Sequence, residues 1–414
     1  MDNDKRFITG LDVGTENVRT VIATVNKDGV VAVVGYNEGK NAGMRKGIPA
    51  NLTGPASSID RMLGEAERMS GYDVKNAYVS INGSQILSTK TEGMIAVGTV
   101  EHEINNEDLD RVEDVAVTGR IPANRDVLEV VPLEYALDGQ GGIKGPLGMS
   151  GARLEIRANV ISALAPNCEN LKKATMAADV EAKRLVPSVV AAAKAVLSEK
   201  QKENGVAVID MGAATTSVAV YEEGDLQYVG VVPAGSNNIT NDLAIVLAID
   251  PEMAEEIKTR FVTGNFDSDK NPIIRIGKEG KTERAFERKE VEDVVKARLD
   301  EIFGEIRKKL KAAHYDQRLP EGIILTGGGA KMRDIEICAK NALEASVKIG
   351  IPKGFGGVFE AIEKPEFAVA AGLALIAAED STFDFSVSQK SKKSKKSLKF
   401  PAAPNFLKKI FSKF

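Results

Sequence analysis

Two aspartates stand at the same place in two similar stretches, each at the end of an apolar run. Phe7–Val25 reads FITGLDVGTENVRTVIATV, and Val206–Tyr221 reads VAVIDMGAATTSVAVY. In both stretches two β-branched runs flank a glycine- and threonine-bearing turn, a pattern that predicts a β-hairpin. Turn N–H groups and threonine hydroxyls suit phosphate oxygens, and the strand-end carboxylate can hold a cation through water. Ordinary edge hairpins are the alternative interpretation.

A third glycine-bearing stretch follows a predicted buried strand near residue 325. Gly327, Gly328 and Gly329 come directly before a predicted helix, Met332–Ser346. Three glycines let a flat aromatic base lie against the backbone, and a helix N-terminus can face a phosphate. A plain strand–helix turn is the alternative. The glycine-rich segment 139–148 has no strand-to-helix context, and we interpret it as a loop.

The composition is that of a soluble globular protein with a separate basic end. The chain has 414 residues, of which 43% are hydrophobic and 28% charged, which allows two to four domains. Segment 379–414 carries nine lysines and three acidic residues, so the rest has 46 basic and 56 acidic residues, a net charge of −10. An acidic body argues against nucleic acid as a partner. Isolated Cys168 and Cys338 predict no disulfide framework, and we expect a reducing compartment.

The order of predicted elements indicates an α/β chain made of two related halves. The first half reads β-β-β-α-β, and residues 84–164 read as short strands around a helix, Asn106–Thr118. We interpret that segment as a small inserted α+β domain. In the second half, the hairpin is followed by a strand and by a helix, Ile239–Leu247, which we expect Asn237 or Asn238 to cap.

The three glycine-bearing stretches occur in the order that the actin, Hsp70 and sugar-kinase ATPases use. GLDVGT at 10–15 and VIDMGAATTS at 208–217 resemble the two phosphate loops, and ILTGGGAKM at 324–332 resembles the adenosine loop. Within that superfamily the chain resembles the FtsA family of bacterial division proteins. GMRKGIPAN, AYVSINGSQI, VVPLEYALDGQGGIKGPLGMSGARLE and VPAGSNNITNDLA carry this resemblance.

The resemblance implies an actin-like, ribonuclease-H-like fold with duplicated domains, an inserted α+β domain and a flexible C-terminal tail. The implied subdomains are 1–83 with 165–200 as the first core (against which 366–378 packs), 84–164 as the insertion, 201–238 with 314–365 as the second core, 239–313 as the small subdomain of the second half, 379–403 as a linker and 404–414 as an amphipathic helix.

The resemblance also implies ATP or ADP with Mg²⁺ as ligands. Asp12 and Asp210 would hold Mg²⁺, through water. The implied nucleotide contacts are Gly14, Thr15, Gly212, Thr215 and Thr216 at the phosphates, Gly235 under the ribose or phosphates, Glu255 and Lys258 at the ribose and adenine side, and Gly327, Gly328 and Met332 at the base. Glu255 and Lys258 also have the spacing of a surface ion pair on a helix, which is the alternative.

The second phosphate loop departs from the pattern DxGGGTTD that the superfamily usually shows. Ala213 and Ala214 replace two glycines, and Ser217 stands where the pattern has an acid. The added methyl groups narrow the approach to a γ-phosphate, and a carboxylate that could orient water or metal is missing. We therefore expect nucleotide binding with weak or absent hydrolysis.

The C-terminal residues have the pattern of an interfacial membrane anchor. Residues 379–403 are rich in Ser and Lys and predict a flexible tether. At 100° per residue, one face of a helix over 405–414 is apolar and the other basic. The predicted membrane contacts are Phe406, Leu407, Ile410, Phe411 and Phe414, with Lys408, Lys409 and Lys413. A helix that docks on the protein itself or on a partner is the alternative.

The resemblance implies a peripheral protein on the cytoplasmic side of the membrane at the division site. It would polymerise, bind anionic lipids and other division proteins, and tether the FtsZ ring. The FtsZ C-terminal tail would bind the small subdomain of the second half, where Arg288 and Arg298 would suit an acidic peptide or would be solvated helix arginines. The rival interpretations are an adaptor like the pilus-assembly protein PilM and a true kinase or ATPase of the fold.

Overall fold

The computed structural model describes residues 6–266, 271–277, 284–315 and 318–380. Within them the chain forms nineteen strands: β1 Arg6–Val13, β2 Asn17–Val25, β3 Val31–Lys40, β4 Met44–Arg45, β5 Ile48–Pro49, β6 Asn76–Ile81, β7 Leu87–Ala96, β8 Arg125–Leu137, β9 Gln140–Ile143, β10 Arg153–Leu164, β11 Glu181–Pro187, β12 Val206–Met211, β13 Thr216–Glu222, β14 Asp225–Val232, β15 Ile273–Ile276, β16 Arg284–Glu287, β17 Ile323–Thr326, β18 Val347–Ile349 and β19 Gly356–Gly357. The ten α-helices of these residues are α1 Thr53–Ser70, α2 Asn106–Val117, α3 Ala165–Met176, α4 Ser188–Val196, α5 Glu199–Asn204, α6 Ser236–Val246, α7 Pro251–Phe261, α8 Arg288–Ala312, α9 Ile335–Leu343 and α10 Ala368–Glu379.

The two large sheets repeat one topology. The first has the order β11-β6-β1-β2-β3-β19 and the second the order β14-β13-β12-β17-β18. In each, an antiparallel hairpin (β1–β2 or β12–β13) gains an antiparallel strand on one side and two parallel strands on the other, and the first sheet has β19 in addition, parallel to β3 at its edge. Asp12 and Asp210 occupy equivalent positions near the end of the first hairpin strand. The expected duplication of the fold is therefore confirmed.

Helices α4 and α10 cross between the two sheets, and their small residues allow the close approach. A side chain at Gly372 would place its Cβ 1.7 Å from the carbonyl oxygen of Ala191. Helix α10 also lies directly on β1, because a Cβ at Gly10 would be 2.2 Å from the carbonyl oxygen of Ala370. These contacts fix both sheets, and hence both hairpins, against one central pair of helices.

The segment between β6 and α3 forms a separate antiparallel sheet, β7-β10-β8-β9, covered by α2. Its core is its own and includes Ile104, Val112 and Leu154. The sheet rests on the second half: buried Asn159 donates through Nδ2 to the carbonyl oxygen of Leu226 at 2.8 Å. This is the small α+β unit that the sequence analysis expected.

Helix α8 packs on β13 and β14 of the second sheet, and α6, α7 and the β15–β16 hairpin pack around it in the same apolar core. The long helix α8 buries its apolar stripe, including Val291, Leu299 and Ile306, as its spacing predicts. In the described part of the chain, no helix has the length and apolar content that crossing a bilayer requires. The predicted membrane contacts, from Phe406 to Phe414, lie outside the described residues.

Candidate functional site

A cavity of about 860 Å³ lies where the turns of the two hairpins meet. Eleven of the thirteen residues predicted to bind a nucleotide line it: Asp12, Gly14, Thr15, Asp210, Gly212, Thr215, Glu255, Lys258, Gly327, Gly328 and Met332. The fold thus brings residues from both halves, from α7 and from the segment after β17 to one concave surface.

The two hairpin turns are closed by the same backbone hydrogen bond. The N–H of Gly14 donates to the carbonyl oxygen of Asn17 at 3.0 Å, and that of Gly212 donates to the carbonyl oxygen of Thr215 at 2.9 Å. A Cβ at Gly14 would lie 2.8 Å from the acceptor, and one at Gly212 would lie 3.1 Å from its acceptor. Glycine is therefore required for the tight first turn and favoured in the second.

Asp12 and Asp210 are buried carboxylates at the base of the cavity. Oδ1 of Asp12 accepts a hydrogen bond from Ser80 at 2.8 Å, and Arg19 lies 3.8 Å from Oδ2. Burial raises the pKa of Asp12, although the charge of Arg19 opposes the shift. Burial and the nearby charge of Asp12 raise the pKa of Asp210 to about 7. Because burial and mutual repulsion oppose the ionisation of both carboxylates at once, a cation bound between them would stabilise their charged form.

The chemistry of the two carboxylates fits Mg²⁺ better than a metal that needs a full protein cage. Among the described residues, no group of three or more His, Cys, Asp or Glu side chains could hold a metal ion. Mg²⁺ commonly uses one or two carboxylates and completes its shell with water and phosphate oxygens. Asp12 and Asp210 can supply that part.

Thr216 and Gly235 do not line the cavity. The Thr216 hydroxyl donates to the carbonyl oxygen of Ala234 at 2.8 Å, within the second half, and its contact with a phosphate stays a prediction. Gly235 supports the second turn from behind, since a Cβ there would be 2.6 Å from the carbonyl oxygen of Gly212. Its N–H donates to Oδ1 of Asn238 at 3.0 Å, and α6 begins directly after it. The predicted asparagine N-cap is therefore wrong.

Glu255 and Lys258 belong to a hydrogen-bonded network rather than to a surface ion pair. Nζ of buried Lys258 lies 2.6 Å from Glu255, donates to Thr240 at 2.9 Å and donates to the carbonyl oxygen of Ser236 at 3.3 Å. These three partners occupy the ammonium donors. Glu255, whose side chain is 47% exposed, keeps acceptor capacity toward the cavity.

The glycines after β17 make a tight wall next to Asp210. Gly327 has φ +87°, and a Cβ there would lie 2.3 Å from Oδ1 of Asp210. A 3-10 turn, Gly328–Lys331, follows. Asp334 then has a left-handed backbone, with φ 58°, which prevents a continuous helix from this turn into α9. The helix predicted to begin at Met332 therefore begins three residues later. The glycines approach the cavity through the 3-10 turn and not through an α-helix N-terminus.

Several polar residues of the cavity were not predicted from the sequence, among them Glu16, Arg19, Lys40, Asn82 and Asn237. Strand register could have identified Arg19, because it pairs with Asp12 across the hairpin. Ser217 pairs with Asp210 in the same way, and its hydroxyl donates to Oδ1 of Asn82 at 3.2 Å. That contact connects the two halves below the cavity.

Arg288 and Arg298 are both engaged within the chain. Arg288 is buried and donates to the carbonyl oxygens of Asn271 at 2.6 Å and Phe261 at 2.9 Å. Arg298 makes a two-pronged contact with Asp242, with distances of 2.6 and 3.0 Å. Both arginines thus already have acceptors within the chain, and their contact with an acidic peptide stays a prediction.

Comparison with known proteins identifies relatives over most of the chain. The family model "Cell division protein FtsA" matches residues 207–372, and the model "SHS2 domain inserted in FTSA" matches residues 83–162. Cell division protein FtsA of Borreliella burgdorferi is 33% identical, covering 92% of this chain and 93% of that protein. Its counterpart from Pseudomonas aeruginosa is 32% identical, covering 89% and 88%.

Solved structures agree on the fold at lower identity. A chain of the PilM–PilN type IV pilus biogenesis complex is 18% identical with a TM-score of 0.66, covering 90% of this chain and 99% of that chain. MreB5 of Spiroplasma citri bound to ADP is 14% identical with a TM-score of 0.50, covering 89% and 94%. The sheet topology, the insertion and the curated relatives together show that this chain has an actin-like fold and belongs to the FtsA family of cell division proteins.

Proposed function

We propose that this chain binds ATP or ADP with Mg²⁺ and uses the nucleotide to govern self-assembly on the cytoplasmic face of the cell membrane at the division site. The observation that carries the proposal is the pair of equivalent turns, with buried Asp12 and Asp210, that face one cavity of nucleotide size. The related fold of MreB5, solved with ADP, supports the choice of ligand.

The chain's own residues divide the work of binding. Gly14, Thr15, Gly212 and Thr215 present the two turns to the phosphates. Asp12 and Asp210 would hold Mg²⁺, which neutralises phosphate charge when bound. The remaining predicted contacts that line the cavity, Glu255, Lys258, Gly327, Gly328 and Met332, serve the nucleoside side.

The site favours binding over hydrolysis. Ser217, at the position opposite Asp210, is buried and bonded to Asn82, so no carboxylate stands there to orient water. Ala213 adds a methyl group to the cavity wall in the second turn. We therefore propose a nucleotide that acts mainly as a structural ligand, with slow hydrolysis at most.

Membrane attachment is proposed for the basic amphipathic C-terminal sequence, with the apolar face Phe406, Leu407, Ile410, Phe411 and Phe414 in the lipid interface. Lysines 408, 409 and 413 would meet anionic lipid. One short helix binds weakly, and polymerisation multiplies its hold through avidity. Through this anchor the protein would tether FtsZ, whose C-terminal tail we place on the small subdomain 239–313, and would meet other division proteins.

Two experiments test the proposal. Calorimetric titration with Mg-ATP should give one site per chain, and Asp210→Asn should weaken it more in the presence of Mg²⁺ than in its absence. Sedimentation with anionic liposomes and ATP should pellet the full chain but not a chain ending at Glu379. Equal pelleting of both chains would sink the anchor, and absence of ATP binding by the full chain would sink the nucleotide site.

A further inference from the structure

The carboxylate of Glu16 bridges the two phosphate-facing turns. Glu16 follows Thr15 in the first turn, and its Oε1 lies 2.5 Å from Nζ of Lys40. Its Oε2 accepts a hydrogen bond from Nδ2 of Asn237 at 2.9 Å, across the cleft. Asn237 in turn donates its backbone N–H to the carbonyl oxygen of Ala213 in the second turn, at 2.8 Å. Glu16, Lys40, Asn237 and Ala213 all line the cavity.

The surroundings of Glu16 are those of an anion site. Burial alone would raise the pKa of Glu16, but hydrogen bonds from Lys40 and Asn237 and the charges of Lys40 and Lys258 lower it. Asn237 lies in the first turn of the eleven-residue helix α6, whose N-terminal end attracts negative charge. The carboxylate is therefore held ionised in a place that stabilises an anion.

We infer that the Glu16 carboxylate occupies the position of a nucleotide phosphate, so that Lys40 and Asn237 release it and bind the phosphate when a nucleotide enters. This inference rests on the proposed function, because it assigns two further contacts and one competitor within the proposed nucleotide site. Glu16 and a phosphate cannot share the position, since like charges at contact distance repel. The intramolecular anion thereby lowers the affinity for the nucleotide.

Glu16 is free to leave when the phosphate arrives. Its side chain is 39% exposed and that of Lys40 is 73% exposed, so neither is locked by packing. A long exposed lysine changes its partner at little cost, and a phosphate offers stronger acceptors than a carboxylate. The exchange needs side-chain rotation only, and the closing hydrogen bond of the first turn stays in place.

The test compares ligand binding by Glu16→Gln with that of the wild type, by calorimetry on the full chain with Mg-ATP, Mg-ADP and adenosine. We expect Glu16→Gln to bind both phosphate-bearing ligands roughly three- to tenfold more tightly, because the competing charge is gone. Adenosine, which has no phosphate, should bind both proteins equally. Lys40→Gln should weaken ATP binding. Glu65→Gln, an equal charge change on the exposed face of α1, is the matched control and should leave every affinity unchanged.

The outcomes separate this inference from the proposed function. If the wild type binds Mg-ATP and Glu16→Gln binds it no more tightly, the inference is overturned and the nucleotide site stands. An equal gain for adenosine also overturns it, because the effect would then not concern phosphate. If neither protein binds ATP, the proposed function fails and the inference fails with it. Thermal unfolding of each variant establishes that it is folded.

Discussion

The two hairpin turns have the same backbone hydrogen bond, but the side chains around them differ. In the first turn Asp12 pairs across the strands with Arg19, and the adjoining residues Glu16 and Lys40 are charged. In the second turn Asp210 pairs with Ser217, and the turn itself consists of the uncharged residues Gly212, Ala213 and Ala214. The duplicated hairpin turn is therefore surrounded by charged side chains in the first half and by closely packed small residues in the second.

This difference divides the tasks of the site. The first turn can respond to a charged ligand, because its side chains are partly exposed and exchange partners. The second turn is held by its packing: Gly235 and Gly327 both lie where a Cβ would collide with it or with Asp210. Duplication therefore preserved the geometry that suits phosphates while the electrostatics of the two halves diverged.

The largest expected effect concerns the aspartate that lacks a cation opposite it. Native Asp210 has a pKa of about 7 against an ordinary value of 3.8, so between these values the native chain holds a proton that the unfolded chain has lost. The free energy of unfolding of the ligand-free chain should therefore fall as pH rises, by about 3 kcal/mol from pH 5 to pH 8. Urea titrations at the two pH values measure this difference.

Asp210→Asn should flatten this profile, since it removes the titrating group. Asp12→Asn should reduce the slope in part, because the charge of Asp12 contributes to the raised pKa of Asp210. If the free energy of unfolding of Asp210→Asn fell with pH as steeply as that of the wild type, Asp210 would not be the group responsible for the fall.

The next effect tests packing behind the second turn. Gly235→Ala should lower the free energy of unfolding by about 2 kcal/mol and abolish ATP binding, because the new methyl group would displace the carbonyl of Gly212. Gly304→Ala in α8 is the matched control: its Cβ meets nothing within 4 Å, and it should stabilise by about 0.5–1 kcal/mol. Chemical denaturation and calorimetry measure both, and intact ATP binding by Gly235→Ala would contradict the account.

A smaller effect is expected when the first turn loses its cross-strand cation. Arg19→Gln leaves Asp12 with less compensation, so the pKa of Asp12 should rise further and the variant should lose about 1 kcal/mol at pH 8. At pH 5 the loss should be smaller, because a protonated carboxyl does not need the cation. Equal losses at both pH values would indicate that Arg19 acts through packing instead.

The smallest effect concerns the residue opposite Asp210. Ser217→Ala removes the hydroxyl that donates to Asn82 at 3.2 Å, and the loss of a hydrogen bond of this length costs about 0.5 kcal/mol. The loss should be independent of pH, unlike that of Arg19→Gln, because Ser217 carries no charge. A pH-dependent loss would mean that Ser217 influences the ionisation of Asp210.

The local pattern of the chain was sufficient to predict the paired hairpins and the cavity between them. Alternating β-branched residues around Gly14 and Gly212 are a local signal for hairpins, and the duplication places both turns at one cleft. The three consecutive glycines predicted that an aromatic base lies against the backbone, and that stays a prediction. The close approach that the structure shows is the one of Gly327 to Asp210.

The partners of long polar side chains could not be predicted in the same way. Arg298 meets Asp242, 56 residues away, and Asn237 meets Glu16, 221 residues away. Such pairs depend on how sheets and helices pack, which sequence spacing does not reveal. The beginning of α9 was missed for a related reason, since the left-handed backbone at Asp334 and its hydrogen bond from Thr263 arise from tertiary contact.

Amide hydrogen exchange with and without Mg-ATP tests directly whether both turns hold one nucleotide. We expect that peptides covering residues 12–17 and 210–216 gain protection together, and at the same ATP concentration. Protection of one turn without the other, or of neither at saturating ATP, would contradict this expectation.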